Sequence, residues 1–377
     1  MNHRYSPRFS KTIALFTCAA AVPLTMNAPA VADAPSTETG AAVLRITHAV
    51  DNVQRSNYGK NSFTVLNTGG KAITGFTLDV TGALYPDCVF DPEGLAGDSV
   101  AKPLKIDTPG GTGLVAPSDM EDSPYVGAGG TQGYRIIQLV FDPEVDGGFT
   151  PGESVGFSID MDPNSIASTN KKPLDQGTTP KWDVGGVSGA ELIGSTFTVT
   201  FADGSQAQGQ LHGTTKQAGS HGLASQELPG HEVSLTVNGI SPGGVGTYSQ
   251  DGLKVVVNGP AGLTARVVLT HGLIQPVTPY DDFLTEQLNT LAAATFPANN
   301  AAAFQTLDVL LTGEDQDITD ALINTPRPTY NFTAHPDKPF SIDADKLPVG
   351  VVAAIVDPEQ DALPLGPVTE PIYLQYE

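Results

Sequence analysis

Residues 62–80, SFTVLNTGGKAITGFTLDV, decide the fold class. Phe63 and Val65 alternate with Thr64 and Leu66, and Ile73, Phe76, Leu78 and Val80 follow after Asn67-Thr68-Gly69-Gly70. Alternation puts successive side chains on opposite faces of an extended chain, so each half reads as a strand with one buried side. The glycines between them permit positive φ, which predicts a hairpin.

The pattern recurs outward from this stretch. YRIIQLVF (134–141), SVGFSIDM (154–161), STFTVTFADG (195–204) and HEVSLTVNG (231–239) are short strand-like runs, each bounded by Gly, Pro, Asn or Asp. A spacing of roughly eight to twelve residues between turn signals is that of sandwiches and barrels. In STFTVTF, Phe197, Val199 and Phe201 alternate with threonines, as a half-buried strand requires. The fold class expected is all-β: an antiparallel β-sandwich N-terminal domain plus a smaller Ig-like β-domain carrying a helical insertion.

Arg4, Arg8 and Lys11 precede the apolar run 12–26 and small residues at 28–34, the pattern of an export signal. The domain reading is a signal peptide at 1–34, a linker at 35–42, a β-sandwich at 43–240 and an Ig-like domain at 241–377. LKVVVNGPAGLTARVVLT (253–270) predicts a second hairpin in the latter. At about 280–326 the apolar spacing turns helical, through Phe283, Leu284, Leu288 and Leu291, then Phe304, Leu307, Leu310 and Leu311, then Ile318, Leu322 and Ile323. No later run reaches the roughly 20 apolar residues of a membrane-spanning helix. Secretion to the periplasm or exterior, without membrane insertion, is the expectation. Cys18 follows Phe16 and Thr17, a poor context for lipidation, and removal of the leader leaves Cys88 alone, so no intramolecular disulfide is expected.

The chain carries 19 basic and 41 acidic residues, a formal charge of −22. Cleavage after Ala34 removes Arg4, Arg8, Lys11 and Asp33, leaving 16 basic and 40 acidic residues and a charge of −24. A field of that sign repels nucleic acid and anionic membranes and attracts cations.

One device repeats: VFDPEG (89–94), VFDPEV (140–145), MDPNS (161–165) and VDPEQ (356–360) run an apolar strand into Asp-Pro. Proline cannot donate to a ladder and the aspartate can accept from turn amides, so the plain reading is a strand terminator. The competing reading is Ca2+, a hard cation that takes six to eight oxygens. Its candidate ligands fall in three loops: Asp91, Glu93 and Asp98; Asp142, Glu144 and Asp146; and Asp160, Asp162 and Asn164. There is no D-x-D-x-D-G loop with a distal Glu, which excludes an EF-hand. Paired carboxylates also suit a glycosidase, with Asp160 and Glu153, or Asp142 and Asp162, in the two roles. A lone tryptophan, Trp182, argues against a sugar-cleaving cleft. His212, His221 and His231 have no zinc-site spacing, and are expected in exposed turns. Tyr58, Tyr85, Tyr125, Tyr134 and Trp182 lie in or beside loops and are the candidates for stacking on a sugar.

Residues 57–102, NYGKNSFTVLNTGGKAITGFTLDVTGALYPDCVFDPEGLAGDSVAK, with FTPGESVGFSIDMDPNSI and VSGAELIGSTFTVTFADG, resemble non-catalytic modules of bacterial secreted and surface proteins that accompany malectin-like and protective-antigen-type domains. VVVNGPAGLTARVVLTHGLI resembles the short Ig-like modules found with them. The resemblance implies a β-sandwich with a carbohydrate-binding or adhesive role, and carries over no ligand residues. The expected function is therefore an exported, non-catalytic, calcium-stabilised binder of an extracellular glycan or cell-surface component. A polysaccharide-active enzyme and a structural matrix module without a small ligand are the alternatives.

Overall fold

The computed structural model describes residues 39–47, 59–164, 186–214, 218–226, 231–249, 252–271, 304–325 and 349–377. All belong to a unit running from Glu38 to Glu377. The export signal and the first helical run, 283–291, lie outside the described residues.

The alternating stretches are strands, and the first half of the chain stacks them in two sheets. They are β1 (Ala41–Ile46), β2 (Phe63–Asn67), β3 (Ile73–Asp79), β4 (Cys88–Phe90), β5 (Lys105–Thr108), β6 (Tyr125–Val126), β7 (Ile136–Val140), β8 (Ser154–Ser158), β9 (Met161–Pro163), β10 (Thr196–Phe201), β11 (Gln206–Gln210), β12 (His212–Gly213) and β13 (Ser220–Ser225). One sheet has the order β12-β13-β1-β2-β8-β5 and the other β11-β10-β3-β7-β6, while β4 and β9 form a separate two-stranded ribbon. Every pair is antiparallel. Between the sheets lies a core in which Phe63 stacks on Phe157 with ring centroids 5.0 Å apart, flanked by Phe76 and Phe197.

The expected hairpin at 62–80 is corrected: β2 and β3 do not pair. Each joins a different sheet, so the turn is an arch that carries the chain across the core. Asn67, fully buried, holds the arch. Its side-chain nitrogen donates to the carbonyls of Lys71 and Phe149, both at 2.9 Å, and its side-chain oxygen accepts from the Gly69 amide at 3.2 Å. Strand β1 begins inside the segment read as linker, and it sits between β13 and β2.

The second half builds a further pair of sheets from β14 (Ser234–Val237), β15 (Val245–Tyr248), β16 (Val255–Asn258), β17 (Thr264–His271), β18 (Phe304–Leu310), β19 (Gln316–Asp317), β20 (Val349–Asp357), β21 (Leu363–Pro364) and β22 (Ile372–Tyr376). The orders are β14-β16-β19 and β15-β22-β20-β17-β18, with β21 on β20. Here too the expected hairpin is an arch, since β16 and β17 fall in different sheets. HEVSLTVNG supplies β14, which pairs with β16 and so belongs to this second half, not to the first domain. The second helical run is corrected as well: 304–310 is strand β18, whose Leu307 and Val309 pack on the core while Leu310 is 66 % exposed. The third run forms the short helix α1 (Thr319–Ile323).

Candidate functional site: a buried aspartate cluster

At the end of β8 the chain keeps its alternation while leaving the sheet. Phe157, Ile159 and Met161 enter the core. Ser158, Asp160 and Asp162 therefore share the other side of the chain, and all three are buried. Residues 159 and 160 carry the chain from β8 into β9, where Asp162 lies opposite Val89 of β4. Two backbone bonds fix this passage: Asp160 N–H donates to the Lys102 carbonyl, and Asp91 N–H to the Asp160 carbonyl, each at 3.0 Å.

The loop after β4 closes over the polar side. Asp91 shapes it, accepting from the amides of Leu95 at 2.9 Å, Ala96 at 2.8 Å and Gly97 at 3.1 Å. Gly97 is required by close approach, since a Cβ there would stand 2.0 Å from Asp162 Cβ. Asn164, with its amide oriented to satisfy its neighbours, donates to the Ala96 and Thr131 carbonyls at 2.8 and 2.9 Å, tying the loop to β9.

This folding brings one carboxylate oxygen from each of Asp98, Asp160 and Asp162 within 4.8 Å of the others. Asp160 is 3 % exposed and Asp162 1 % exposed, and Asp160 Oδ2 and Asp162 Oδ1 accept no hydrogen bond. Asp162 Oδ2 accepts the Asp98 amide at 3.2 Å, and Asp98 Oδ1 accepts the Val100 amide at 2.6 Å. Burial, then the charges of Asp98 and Asp91, push the Asp160 carboxyl up to about 7. Burial, then Asp98, Asp160 and Asp91, push Asp162 up to about 8. Like charges in a desolvated space must bind protons or a cation.

A second polar line adjoins the first. Lys102 Nζ donates to Ser158 Oγ at 2.7 Å, and Ser158 donates to Asp107 Oδ2 at 2.5 Å. Asp107 also accepts the Asn61 amide at 2.9 Å and faces Lys105 Nζ at 3.7 Å. Burial raises the Asp107 carboxyl, but the bonds from Ser158 and Asn61 and the charges of Lys102 and Lys105 outweigh it and hold the group low. Burial pulls the Lys102 ammonium below its ordinary value. Ser, Lys and Asp in a row suggest a nucleophile, yet Ser158 is 0 % exposed and its hydroxyl proton is directed to Asp107. This line orders the strand end and does not present a nucleophile.

The sequence candidates divide accordingly. Asp98, Asp160 and Asp162 converge. Asp91 sits beside them with its carboxylate occupied by amides, the strand-terminator role, which Asp142 also plays toward Glu144 N at 2.9 Å and Asp357 toward Glu359 N at 2.9 Å. Glu93 is exposed on the same loop and accepts from Tyr134 Oη at 3.5 Å. Asp142, Glu144 and Asp146 lie in the β7–β8 turn, before β8 rather than after it, and do not join the cluster. Glu153 also precedes β8, and seven residues of extended chain at about 3.3 Å each put it roughly 20 Å from Asp160, too far for a glycosidase pair.

Tyr125 and Tyr134 pack with ring centroids 5.1 Å apart, and Tyr125 Oη accepts the Leu104 amide at 2.7 Å. Tyr85 is 52 % exposed and does not share their contact. Tyr58 and Trp182 lie outside the described residues.

The expectation of exposed histidines is corrected at His221, which is 1 % exposed in β13 opposite Arg45 and His212. Burial, then His212 and Arg45, pull it down to about 3, so it is neutral. Sequence reasoning missed Ser158, Lys102 and Gly97; the period-two row Ser158, Asp160, Asp162 was available as a signal for the first. No family model, curated protein or solved structure matches the chain.

Proposed function

We propose that the protein is an exported, non-catalytic β-sandwich binding module whose first half is clasped by calcium at Asp98, Asp160 and Asp162, and which recognises an extracellular glycan or surface component. The observation that carries the cation is the pair of buried, unpaired oxygens, Asp160 Oδ2 and Asp162 Oδ1. An ion there links the loop after β4 to β9. Calcium fits best because the cluster offers oxygen alone, the donor that hard cations take, and because its irregular coordination tolerates a site built from loop and strand. Magnesium demands tighter octahedral geometry and gives up water reluctantly. The glycan reading is supported by the Tyr125–Tyr134 pair, which Tyr134 Oη ties to the exposed Glu93 of the loop after β4. Export is supported by the basic and apolar pattern of the first residues.

The test is thermal unfolding of the chain from Pro35 onward in chelator and in millimolar calcium. A ligand that binds only the folded state at roughly one hundred times its Kd adds about 2.7 kcal/mol. The Tm should rise by several degrees with calcium, less with magnesium, and the rise should vanish in Asp160→Asn/Asp162→Asn. An unmoved curve for the unaltered protein sinks the cation reading. A glycan array with and without calcium tests recognition, and the absence of any hit rejects the glycan.

A further inference from the structure

We infer that Lys102 sets the affinity of the aspartate cluster for its cation by standing beside it as a fixed counter-charge. The inference rests on the cation reading and names what tunes that site. Lys102 is attached to the polar row at two points. Its carbonyl takes the Asp160 amide at 3.0 Å, and its ammonium lies 2.7 Å from Ser158 Oγ, two residues before Asp160 on the same side of the chain. Ser158 gives its own proton to Asp107, so its oxygen is left to accept from Lys102, and the ammonium is held in place.

The charges around it fall into two groups. Asp107 is matched by Lys102 and by Lys105, whose side chain is 66 % exposed. Around Asp160 and Asp162 stand the carboxylates of Asp98 and Asp91, and Lys102 is a basic group acting on Asp160. The same ammonium thus serves both groups. It lowers the negative potential of the cluster, which steadies the cation-free fold and weakens the pull on an incoming cation.

This role has a sign that packing does not share. Removing a residue that merely supports the site loosens it and weakens binding. Removing a counter-charge tightens binding, by roughly tenfold for a unit charge about 6 Å from a divalent ion even at the dielectric of water, and by more where water is excluded.

Isothermal titration of chelator-treated protein with calcium distinguishes the two. Lys102→Gln keeps a donor toward Ser158 and deletes only the charge, Lys102→Met deletes both, and Lys102→Arg retains the charge. The Gln and Met variants should bind at least about tenfold more tightly than the unaltered protein, by a margin that shrinks in high salt, with the Arg variant little changed. The Gln variant carries the test if the Met variant does not fold. Equal or weaker binding by the Gln variant, with the unaltered protein binding normally, overturns the role of Lys102 and leaves the cation site standing. If the unaltered protein itself shows neither heat nor a calcium-dependent Tm shift, the cation reading falls, and this inference with it.

Discussion

Asp160 and Asp162 invert the usual contribution of a carboxylate to stability. Both are held above the unfolded value of about 3.9, by burial first and then by neighbouring aspartates. Between about pH 4 and the folded values near 7 and 8, the folded chain keeps protons that the unfolded chain has lost. Cation-free stability from this pair is therefore full below about pH 4 and is lost as pH rises through those values. In chelator, the urea midpoint should be lower at pH 8.5 than at pH 5, with calcium restoring it at the higher pH. Asp160→Asn/Asp162→Asn should flatten the dependence, and a pair that stabilises more at pH 8.5 in chelator would refute the assignment. Gly97 belongs to the same account. A methyl group there would meet the Asp162 side chain at 2.0 Å, so Gly97→Ala should cost about 3 kcal/mol and abolish any calcium-dependent rise in Tm.

At the scale of elements, alternation and turn chemistry locate strands but do not say which strands pair. Residues 62–80 and 253–270 both read as hairpins and both are arches. The reason is physical: a hairpin and an arch each join two strands that bury apolar faces in one core, and glycine-rich turns serve either. What separates them here is Asn67, whose buried amide donates across the arch to Lys71 and Phe149. Its replacement by alanine should leave buried carbonyls unpaired and cost about 3 kcal/mol in the urea midpoint. β10 and β11, joined through Asp203-Gly204, are a true hairpin with Thr196 opposite Gln210. β18 reads as helical from the sequence because Leu310 and Leu311 are adjacent and Phe304, Leu307 and Leu311 also satisfy a helical spacing. The pairing Val267–Leu307 that fixes it as strand is a long-range fact. The candidate site was more legible, because Asp160 and Asp162 lie two apart on one chain. Its third member, Asp98, needed the loop closure that Asp91 and Gly97 provide.

At the scale of the molecule, two large cores share no residue, and a smaller cluster of Val268, Val352, Ala354, Val356 and Ala362 lies apart from both. One runs from Ala42 to Ala224 and contains every strand around the aspartate cluster; the other runs from Val233 to Leu374. The halves meet where β21 packs against β13 and where Arg45 Nη2 donates to Gln360 Oε1 at 2.8 Å, an exposed bond that contributes little by itself. The proposed cation would link segments of the first core, the loop after β4 and β9. Its binding energy would therefore enter the unfolding of the first half directly, and that of the second through the contact between halves. Multi-domain chains need not unfold in one step, and calorimetry separates the steps when the coupling is weak. The expected thermogram has two transitions in chelator, with millimolar calcium raising one by several degrees and leaving the other within about a degree. Asp162→Asn should remove the movement, and Arg45→Ala should leave it intact. A single transition that calcium moves as a whole would show instead that the contact through β13 and β21 couples the halves into one cooperative unit.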